Sequence, residues 1–262
     1  MEIIIAGILI AGVGIFVGLF LGVAGAKFEV EVDPRETEIL GCLPGNNCGG
    51  CGYPGCSGLA AAIVKGEAPV NQCPVGGAAV GSQIAEIMGV TVEEKTRMVA
   101  YVSCSGTCEK AKEQYVYVGM KDCSMAKRVP GGGSKACSYG CLGFGNCASV
   151  CERNAISIVD GIAVVNKEEC LACGLCVKAC PNNLISLIPY DATQVVACSS
   201  KDTGKVVTQV CSAGCIGCKL CEKNCPSDAI HVVDNVAVID QDKCTHCGTC
   251  AEKCPKKVIV KP

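Results

Sequence analysis

This sequence contains few aromatic residues and has no large excess of positive or negative charge. The 262 residues include no tryptophan, four phenylalanines and six tyrosines, so the bulky side chains that usually fill a core of this size are missing. The 23 basic residues are balanced by 25 acidic ones, which argues against a nucleic-acid partner. The sequence shows no Ser-His-Asp, paired-carboxylate or P-loop arrangement, and no Gly-x-Gly-x-x-Gly follows a strand. We therefore expect no catalytic residue in this chain.

Cysteine, in contrast, is present in excess, with 26 copies. Such a density is typical of small secreted disulfide scaffolds, but this chain is too long for that class. Its cysteines fall in tight Cys-x-x-Cys groups, which are better placed to share a metal centre than to bridge distant loops. Bound clusters would also supply folding free energy that the sparse core does not.

The N-terminus carries a long apolar run. Residues 3–25 have no charge, and as a helix they extend about 35 Å, enough to cross a hydrocarbon core of about 30 Å. A cleaved signal peptide is the alternative, because Ala24-Gly25-Ala26 fits a cleavage pattern; however, Met1-Glu2 is acidic and the run is too long. We expect a retained single-pass transmembrane anchor over residues 1–26, followed by a linker over 27–40.

Small residues recur at steps of three and four along this helix, at Gly7, Ala11, Gly14, Gly18 and Gly22. That spacing favours close approach of a partner helix, although glycine is also common in membrane helices generally. Lys27 follows the run and only Glu2 precedes it, which favours a C-terminal bulk on the cytoplasmic side of the inner membrane. The reducing cytoplasm also preserves thiolates.

The first cysteine motif lies within residues 41–90, expected to form a small 4Fe–4S domain. Its members are Cys48, Cys51, Cys56 and Cys73. Glycines around the first three allow the backbone to curl around a cuboidal cluster, and residues 57–64 are predicted to form a helix. Four thiolates also suit a zinc ion, but the glycine density favours iron and sulfur. Cys42 is a fifth thiol and is not expected to be a ligand.

A gapless internal repeat of 74 residues is the most informative feature. Eight cysteines recur at this distance: Cys137, Cys141, Cys147, Cys151, Cys170, Cys173, Cys176 and Cys180 match Cys211, Cys215, Cys221, Cys225, Cys244, Cys247, Cys250 and Cys254. Between the cysteine runs, residues 156–165 and 230–239 each predict two strands joined by an Asp-Gly or Asp-Asn turn. The repeat indicates two similar structural modules, over residues 137–190 and 191–262.

Each unit resembles a bacterial two-cluster ferredoxin, whose signature Cys-x2-Cys-x2-Cys-x3-Cys-Pro occurs twice and whose fourth cysteine binds the other cluster. The resemblance implies two clusters in the second unit, one held by Cys215, Cys218, Cys221 and Cys254 and one by Cys225, Cys244, Cys247 and Cys250. In the first unit it implies one cluster on Cys151, Cys170, Cys173 and Cys176. The fold class expected for the whole chain is α+β.

The first run of the upstream unit departs from this signature. Phe144 stands where the repeat has Cys218, and Glu152 replaces a proline, so Cys141, Cys147 and Cys180 lack a fourth ligand. Cys137 is the candidate to fill that place, giving at least five 4Fe–4S clusters. In the connecting region, residues 91–136, a candidate sixth cluster uses Cys104, Cys108 and Cys123. Alternatively these three are buried thiols among strands at 99–102, 116–118 and 195–197. The candidates for the fourth ligand of this sixth cluster are Cys137, Cys198 and Cys211.

This order of segments is similar to the B-subunit family of Rnf complexes, ion-pumping ferredoxin:NAD oxidoreductases, in its longer form found in anaerobes. The resemblance rests on CGGCGYPGC with its distal CPVGG, the CSYGCLGFGNC and VCSAGCIGCKLC segments, and the N-terminal helix. It implies an enzyme-complex subunit that exchanges electrons with soluble ferredoxin and relays them to membrane and flavin-bearing partners. Sodium or proton translocation then belongs to the assembled complex. The competing functions are an iron–sulfur subunit of a hydrogenase- or formate-linked complex and a non-redox metal-binding protein.

Overall fold

The computed structural model describes residues 2–27, 33–91 and 96–262. Part of the expected linker (28–32) and part of the connecting region (92–95) lie outside the described residues. The apolar N-terminal run folds as one helix, α1 (Glu2–Lys27), whose side chains are described at residue 7 and residues 11–23. Within the described part of the chain, no helix combines the length and apolarity that a membrane crossing requires.

Three helices form the N-terminal domain: α2 (Pro34–Cys42), α3 (Gly55–Val64) and α4 (Gly77–Met88). Helix α2 begins where sequence chemistry favours it, because the Asp33 carboxylate accepts the Arg35 N–H at 2.9 Å and proline occupies the first helical position. Ile39 and Ile84 are fully buried between the helices, beside Leu59 and Ile63 of α3. The helix predicted at residues 57–64 is confirmed.

The first module contains two antiparallel strand pairs. Strand β1 (Met98–Val102) pairs with β4 (Ile185–Pro189), and β2 (Ile156–Val159) pairs with β3 (Ile162–Val165). Asp160 and Gly161 join β2 to β3 with φ of 48° and 75°, the left-handed pair that a tight hairpin turn requires. Two short helices, α6 (Asn146–Ser149) and α7 (Leu175–Ala179), lie within the cysteine runs and carry Cys147 and Cys176.

The second module repeats this plan. Strand β5 (Val195–Val196) pairs with β8 (Ile259–Val260), and β6 (Ile230–Val233) pairs with β7 (Val236–Ile239). Helices α9 (Leu220–Lys223) and α10 (Thr249–Glu252) take the places of α6 and α7. The repeated strand pairs predicted at 156–165 and 230–239 are therefore confirmed.

A long excursion separates β1 from the first cysteine run of its own module. It contains α5 (Cys123–Lys127) and is tied down by isolated bridges between Ala111 and Cys211 and between Glu113 and Lys135. In the second module α8 (Gly204–Val210) occupies the corresponding interval. The strand predicted at 116–118 is wrong, because Val116 and Val118 belong to no strand. Their side chains are 83% and 91% exposed, so burial does not stabilise an extended, paired conformation there. The strands predicted at 99–102 and 195–197 are present as β1 and β5.

Candidate iron–sulfur sites

The cysteines gather into six groups of four, numbered here from the N-terminal domain toward the C-terminus of the second module. No cysteine forms a disulfide within the described residues. The groups are site 1 (Cys51, Cys56 and Cys73, to which the sequence motif adds Cys48), site 2 (Cys151, Cys170, Cys173, Cys176), site 3 (Cys123, Cys141, Cys147, Cys180), site 4 (Cys104, Cys137, Cys198, Cys211), site 5 (Cys215, Cys218, Cys221, Cys254) and site 6 (Cys225, Cys244, Cys247, Cys250).

Sites 5 and 6 bring together the cysteines that the ferredoxin resemblance implies. The four thiols of site 5 line one cavity and those of site 6 another, with the fourth cysteine of each run crossing to the other group. Burial raises the pKa of Cys221 to about 11, and the neighbouring thiols of Cys215 and Cys218 add to the shift. At site 6 the Ala229 N–H donates to Cys225 Sγ at 3.3 Å.

Site 2 also gathers the expected four thiols around one cavity. The Ala100 N–H of strand β1 donates to Cys170 Sγ, and the Ala155 N–H donates to Cys151 Sγ, each at 3.3 Å. Burial raises the pKa of Cys176 to about 12, with added repulsion from Cys170 and Cys173. Cys48 of site 1 lines the same cavity, so the N-terminal domain meets the first module here.

Site 1 is held by a turn-rich loop and the helix that follows it. The Asn47 side chain accepts the Cys56 N–H at 2.8 Å, and the Gly76 N–H donates to Cys73 Sγ at 3.4 Å. Burial raises the pKa of Cys73, as do the facing thiols of Cys56 and Cys51. A side chain at Gly50 would place its Cβ 2.5 Å from the Cys173 carbonyl oxygen, so only glycine allows the loop to approach site 2 this closely. Cys42 packs against the core of this domain.

Site 3 contains Cys123, which sequence reasoning did not place here. Cys123, Cys141, Cys147 and Cys180 line one cavity, and Cys137 is not among its lining residues. Burial raises the pKa of Cys147 to about 11, with contributions from the thiols of Cys141, Cys180 and Cys123. The fourth thiol missing from the first run is thus supplied by helix α5 of the excursion.

Polar contacts hold α5 at site 3 from two sides. The Asn146 side-chain carbonyl accepts the Cys123 N–H at 2.8 Å while its amide donates to Asp122 at 2.8 Å. The Lys127 ammonium donates to the carbonyl of Pro181. Phe144, in the place of the absent cysteine, packs on the Tyr117 ring with centroids 5.3 Å apart. Phe144, which replaces a cysteine of the signature, therefore packs against the segment that carries Cys123 to site 3.

Site 4 lies where the two modules meet. Its cavity is lined by Cys104, Cys137, Cys198 and Cys211. Burial raises the pKa of Cys198 to about 11. The expected grouping of Cys104 with Cys108 and Cys123 is not formed: Cys123 lies at site 3, and Cys108 is exposed and absent from the site 4 lining.

A sequence signal for site 4 exists in retrospect. Val-Ser-Cys-Ser at 102–105 and Val-Ala-Cys-Ser at 196–199 stand at the ends of β1 and β5. Cys137 and Cys211 are related by the 74-residue repeat. The four thiols are thus two repeated pairs, and the excursion conceals the first pair because it changes the spacing between Cys104 and Cys137.

The six groups have the chemistry that an iron–sulfur cluster requires. At sites 2 to 6 four thiols line one cavity, and at site 1 the thiols of Cys51 and Cys56 face Cys73. Backbone N–H groups point at the sulfurs of several of them, as in proteins that bind such clusters. Among the residues described, no three His, Cys, Asp or Glu side chains converge closely enough to hold one metal ion.

Comparison with known proteins agrees with this geometry. The family model described as "Putative Fe-S cluster" matches residues 43–75, "4Fe-4S binding domain" matches 163–186, and "4Fe-4S dicluster domain" matches 214–258. The B subunit of the Na⁺-translocating ferredoxin:NAD⁺ oxidoreductase complex of Acetobacterium woodii is 45% identical over 94% of this chain and 74% of its own length. The B subunit of an ion-translocating oxidoreductase complex from Methanosarcina acetivorans is 44% identical over 95% of both chains.

The chain belongs to the B-subunit family of Rnf complexes. A third relative, the B subunit of the proton-translocating ferredoxin:NAD⁺ oxidoreductase complex of Clostridium ljungdahlii, is 43% identical over 94% of this chain and 88% of its own length. The resemblance identified from the sequence is confirmed. As a B-subunit family member with 4Fe–4S domains, the chain is an iron–sulfur electron-transfer subunit of an ion-translocating oxidoreductase.

Proposed function

We propose that this chain carries electrons through six 4Fe–4S clusters in single file, from soluble ferredoxin at sites 5 and 6 to membrane partners near site 1. Each bound cluster would accept and donate one electron. The protein sets the order of electron transfer by placing the cysteines of successive sites next to each other. The names of two relatives include ferredoxin and NAD⁺, which supports a ferredoxin partner. Flavin- and nicotinamide-bearing subunits are then partners, because this chain has no nucleotide motif of its own.

The observation that carries the proposal is the set of contacts joining successive sites. Cys48 of site 1 lines the site 2 cavity. The thiol of Cys147 at site 3 lies close enough to Cys176 of site 2 to raise its pKa, after the larger effect of burial. These contacts support a path from site 1 through site 2 to site 3.

Site 4 continues this path into the second module. Its Cys104 Sγ accepts the backbone N–H of Cys141, a site 3 residue, at 3.4 Å. On its other side, Cys198 accepts a hydrogen bond from the backbone of Cys215, a site 5 residue. Cys141 and Cys215 are repeat counterparts, so site 4 faces the same position of both modules. A cluster there joins two ferredoxin-like, pseudo-twofold βαβ units into one path.

Helix α1 is proposed as the membrane anchor, with the cysteine-rich bulk on the cytoplasmic side. Its support is the uncharged sequence of residues 3–25 and membership of a family whose names describe ion-translocating complexes. The single N-terminal helix then holds site 1, the first site after it along the chain, nearest the membrane partners.

A break at site 4 tests the order of the path. In the purified complex, Cys104→Ser/Cys211→Ser should remove one cluster and leave five. Reduced ferredoxin should then bleach the two clusters of sites 5 and 6 at the wild-type rate and the other three far more slowly, as followed by stopped-flow absorption. Cys42→Ser/Cys108→Ser, which changes two cysteines outside the six groups, is the matched control and should retain all clusters and rates.

Either of two results would refute the proposed path. If all five remaining clusters were reduced at the wild-type rate, site 4 would not be an obligatory step. If the clusters of sites 1 to 3 were reduced rapidly while those of sites 5 and 6 were not, ferredoxin would enter at the opposite end.

A further inference from the structure

Lys135 is the one charged side chain that is buried within the described residues, at 6% exposure. Its ammonium donates to the carbonyl oxygens of Gly106 and Gly161, each at 2.8 Å. Among the ion pairs of the described residues, none includes Lys135. A buried cation with only carbonyl partners is costly unless an anion lies close by.

The surroundings of Lys135 show where that anion belongs. Lys135 is part of the lining of the site 4 cavity. Its acceptor Gly106 lies against this site, because a Cβ on Gly106 would be 3.6 Å from both Cys104 Sγ and Cys211 Sγ. On the other side lies site 3, because the Lys135 ammonium donates to Gly161 in the turn before β3 and the Ala163 N–H of that strand donates to Cys141 Sγ of site 3 at 3.4 Å. The cation therefore stands between sites 3 and 4.

The repeat shows that this charge is particular to the first module. The position 74 residues beyond Lys135 is Gln209, a neutral and exposed residue. The lysine beside the equivalent turn of the second module is Lys201, which is 57% exposed and pairs with Asp234 at 3.1 Å. Water screens a charge at such a surface position far more effectively than at a buried one.

We propose that Lys135 is the counter-charge of the clusters at sites 3 and 4 and raises the reduction potentials of both. The inference rests on the proposed function, since it requires clusters at these sites. Reduction adds one electron to an already anionic cluster, so a fixed cation nearby stabilises the reduced form. At an effective dielectric of about 20, a unit charge about 10 Å away changes a one-electron equilibrium roughly tenfold. The clusters at sites 3 and 4, which are the two central ones of the path, are therefore easier to reduce.

The test is an equilibrium redox titration of the full chain, followed by visible bleaching and electron paramagnetic resonance. In Lys135→Gln, which installs the residue that the repeat itself uses, two of the six one-electron steps should become about tenfold harder, or 59 mV lower in potential. Lys135→Arg keeps the charge and should restore the wild-type potentials. Lys201→Gln is the matched control and should shift none of the steps.

Iron content separates a failure of this inference from a failure of the proposed function. If Cys104→Ser/Cys211→Ser loses no cluster, site 4 is wrongly assigned and the proposed path through it fails. If that variant loses one cluster but fully loaded Lys135→Gln titrates like the wild type, only the role of Lys135 is overturned.

Loss of iron in the variants is also informative. Lys135→Met, which retains the aliphatic stem, is the second neutral variant. If both neutral variants lose clusters while Lys135→Arg keeps them, the counter-charge is required for loading and the inference stands. If all three lose clusters, Lys135 serves packing, and the inference is refuted.

Discussion

The replacement of Cys123 by serine tests the most specific feature of site 3. If each of the six proposed sites binds a cluster of four irons, the loaded chain should hold about 24 irons. A cluster left with three thiolates is expected to lose its unanchored iron and become a 3Fe–4S centre, so Cys123→Ser should retain about 23. A difference of one iron is within the usual error of iron analysis. The decisive measurement is therefore the oxidised paramagnetic resonance signal, which should rise from near zero to about one 3Fe–4S spin per chain.

The structure indicates that this variant folds. The Cys123 N–H is held by the Asn146 side chain at 2.8 Å, and the Asp122 carboxylate caps α5 by accepting the Met125 N–H at 2.8 Å. Neither contact involves the sulfur. Placing a hydroxyl in a buried thiol site costs about 1–3 kcal/mol, which is small beside the roughly 10–16 kcal/mol that a structural metal site contributes in small metal-binding domains.

A double variant tests whether Cys123 and Cys137 belong to different sites. If the two thiols belong to different sites, Cys123→Ser/Cys137→Ser should give about two 3Fe–4S spins per chain, because each cluster loses one iron. If both belonged to one cluster, losing two thiolates would remove that cluster whole, with about four irons lost and no new spin. The second outcome, or a silent Cys123→Ser, would refute the assignment of Cys123 and Cys137 to separate sites.

Three other variants test particular contacts. Phe144→Cys added to Cys123→Ser restores the fourth cysteine of the ferredoxin run and should abolish the 3Fe–4S signal; Phe144→Leu in the same background should not. Gly50→Ala would place a Cβ 2.5 Å from the Cys173 carbonyl and should slow electron transfer between sites 1 and 2 by tenfold or more without loss of iron. Gly41→Ala, whose Cβ would meet no atom within 4 Å, is the control and should leave the rate unchanged. Gly14→Leu/Gly18→Leu should keep membrane insertion but reduce co-purification with the complex, because both glycines have open space around them and leucine blocks close helix approach; full recovery of the complex would show that these glycines form no docking face.

The sequence alone determined the features that short sequence motifs specify. The Asp-Gly and Asp-Asn turns and the 74-residue repeat predicted the hairpins β2–β3 and β6–β7, and the ferredoxin resemblance, carried by the Cys-x2-Cys runs, implied the cysteine groups of sites 2, 5 and 6. Loop residues and neighbouring cysteines specify such features locally, so no knowledge of the distant chain is needed. The family also followed from motifs read in order, as the relatives confirmed.

Only the tertiary structure decided how sites 3 and 4 are completed. Cys123 reaches site 3 because Asn146 and Pro181 hold α5 against the first module, a contact between segments with no shared sequence pattern. Site 4 forms because β1 pairs with β4 and β5 with β8, which sets Cys104 and Cys198 at the junction of the two modules. Pairing between segments so far apart in the chain depends on which surfaces pack together, and cysteine spacing carries no information about that packing.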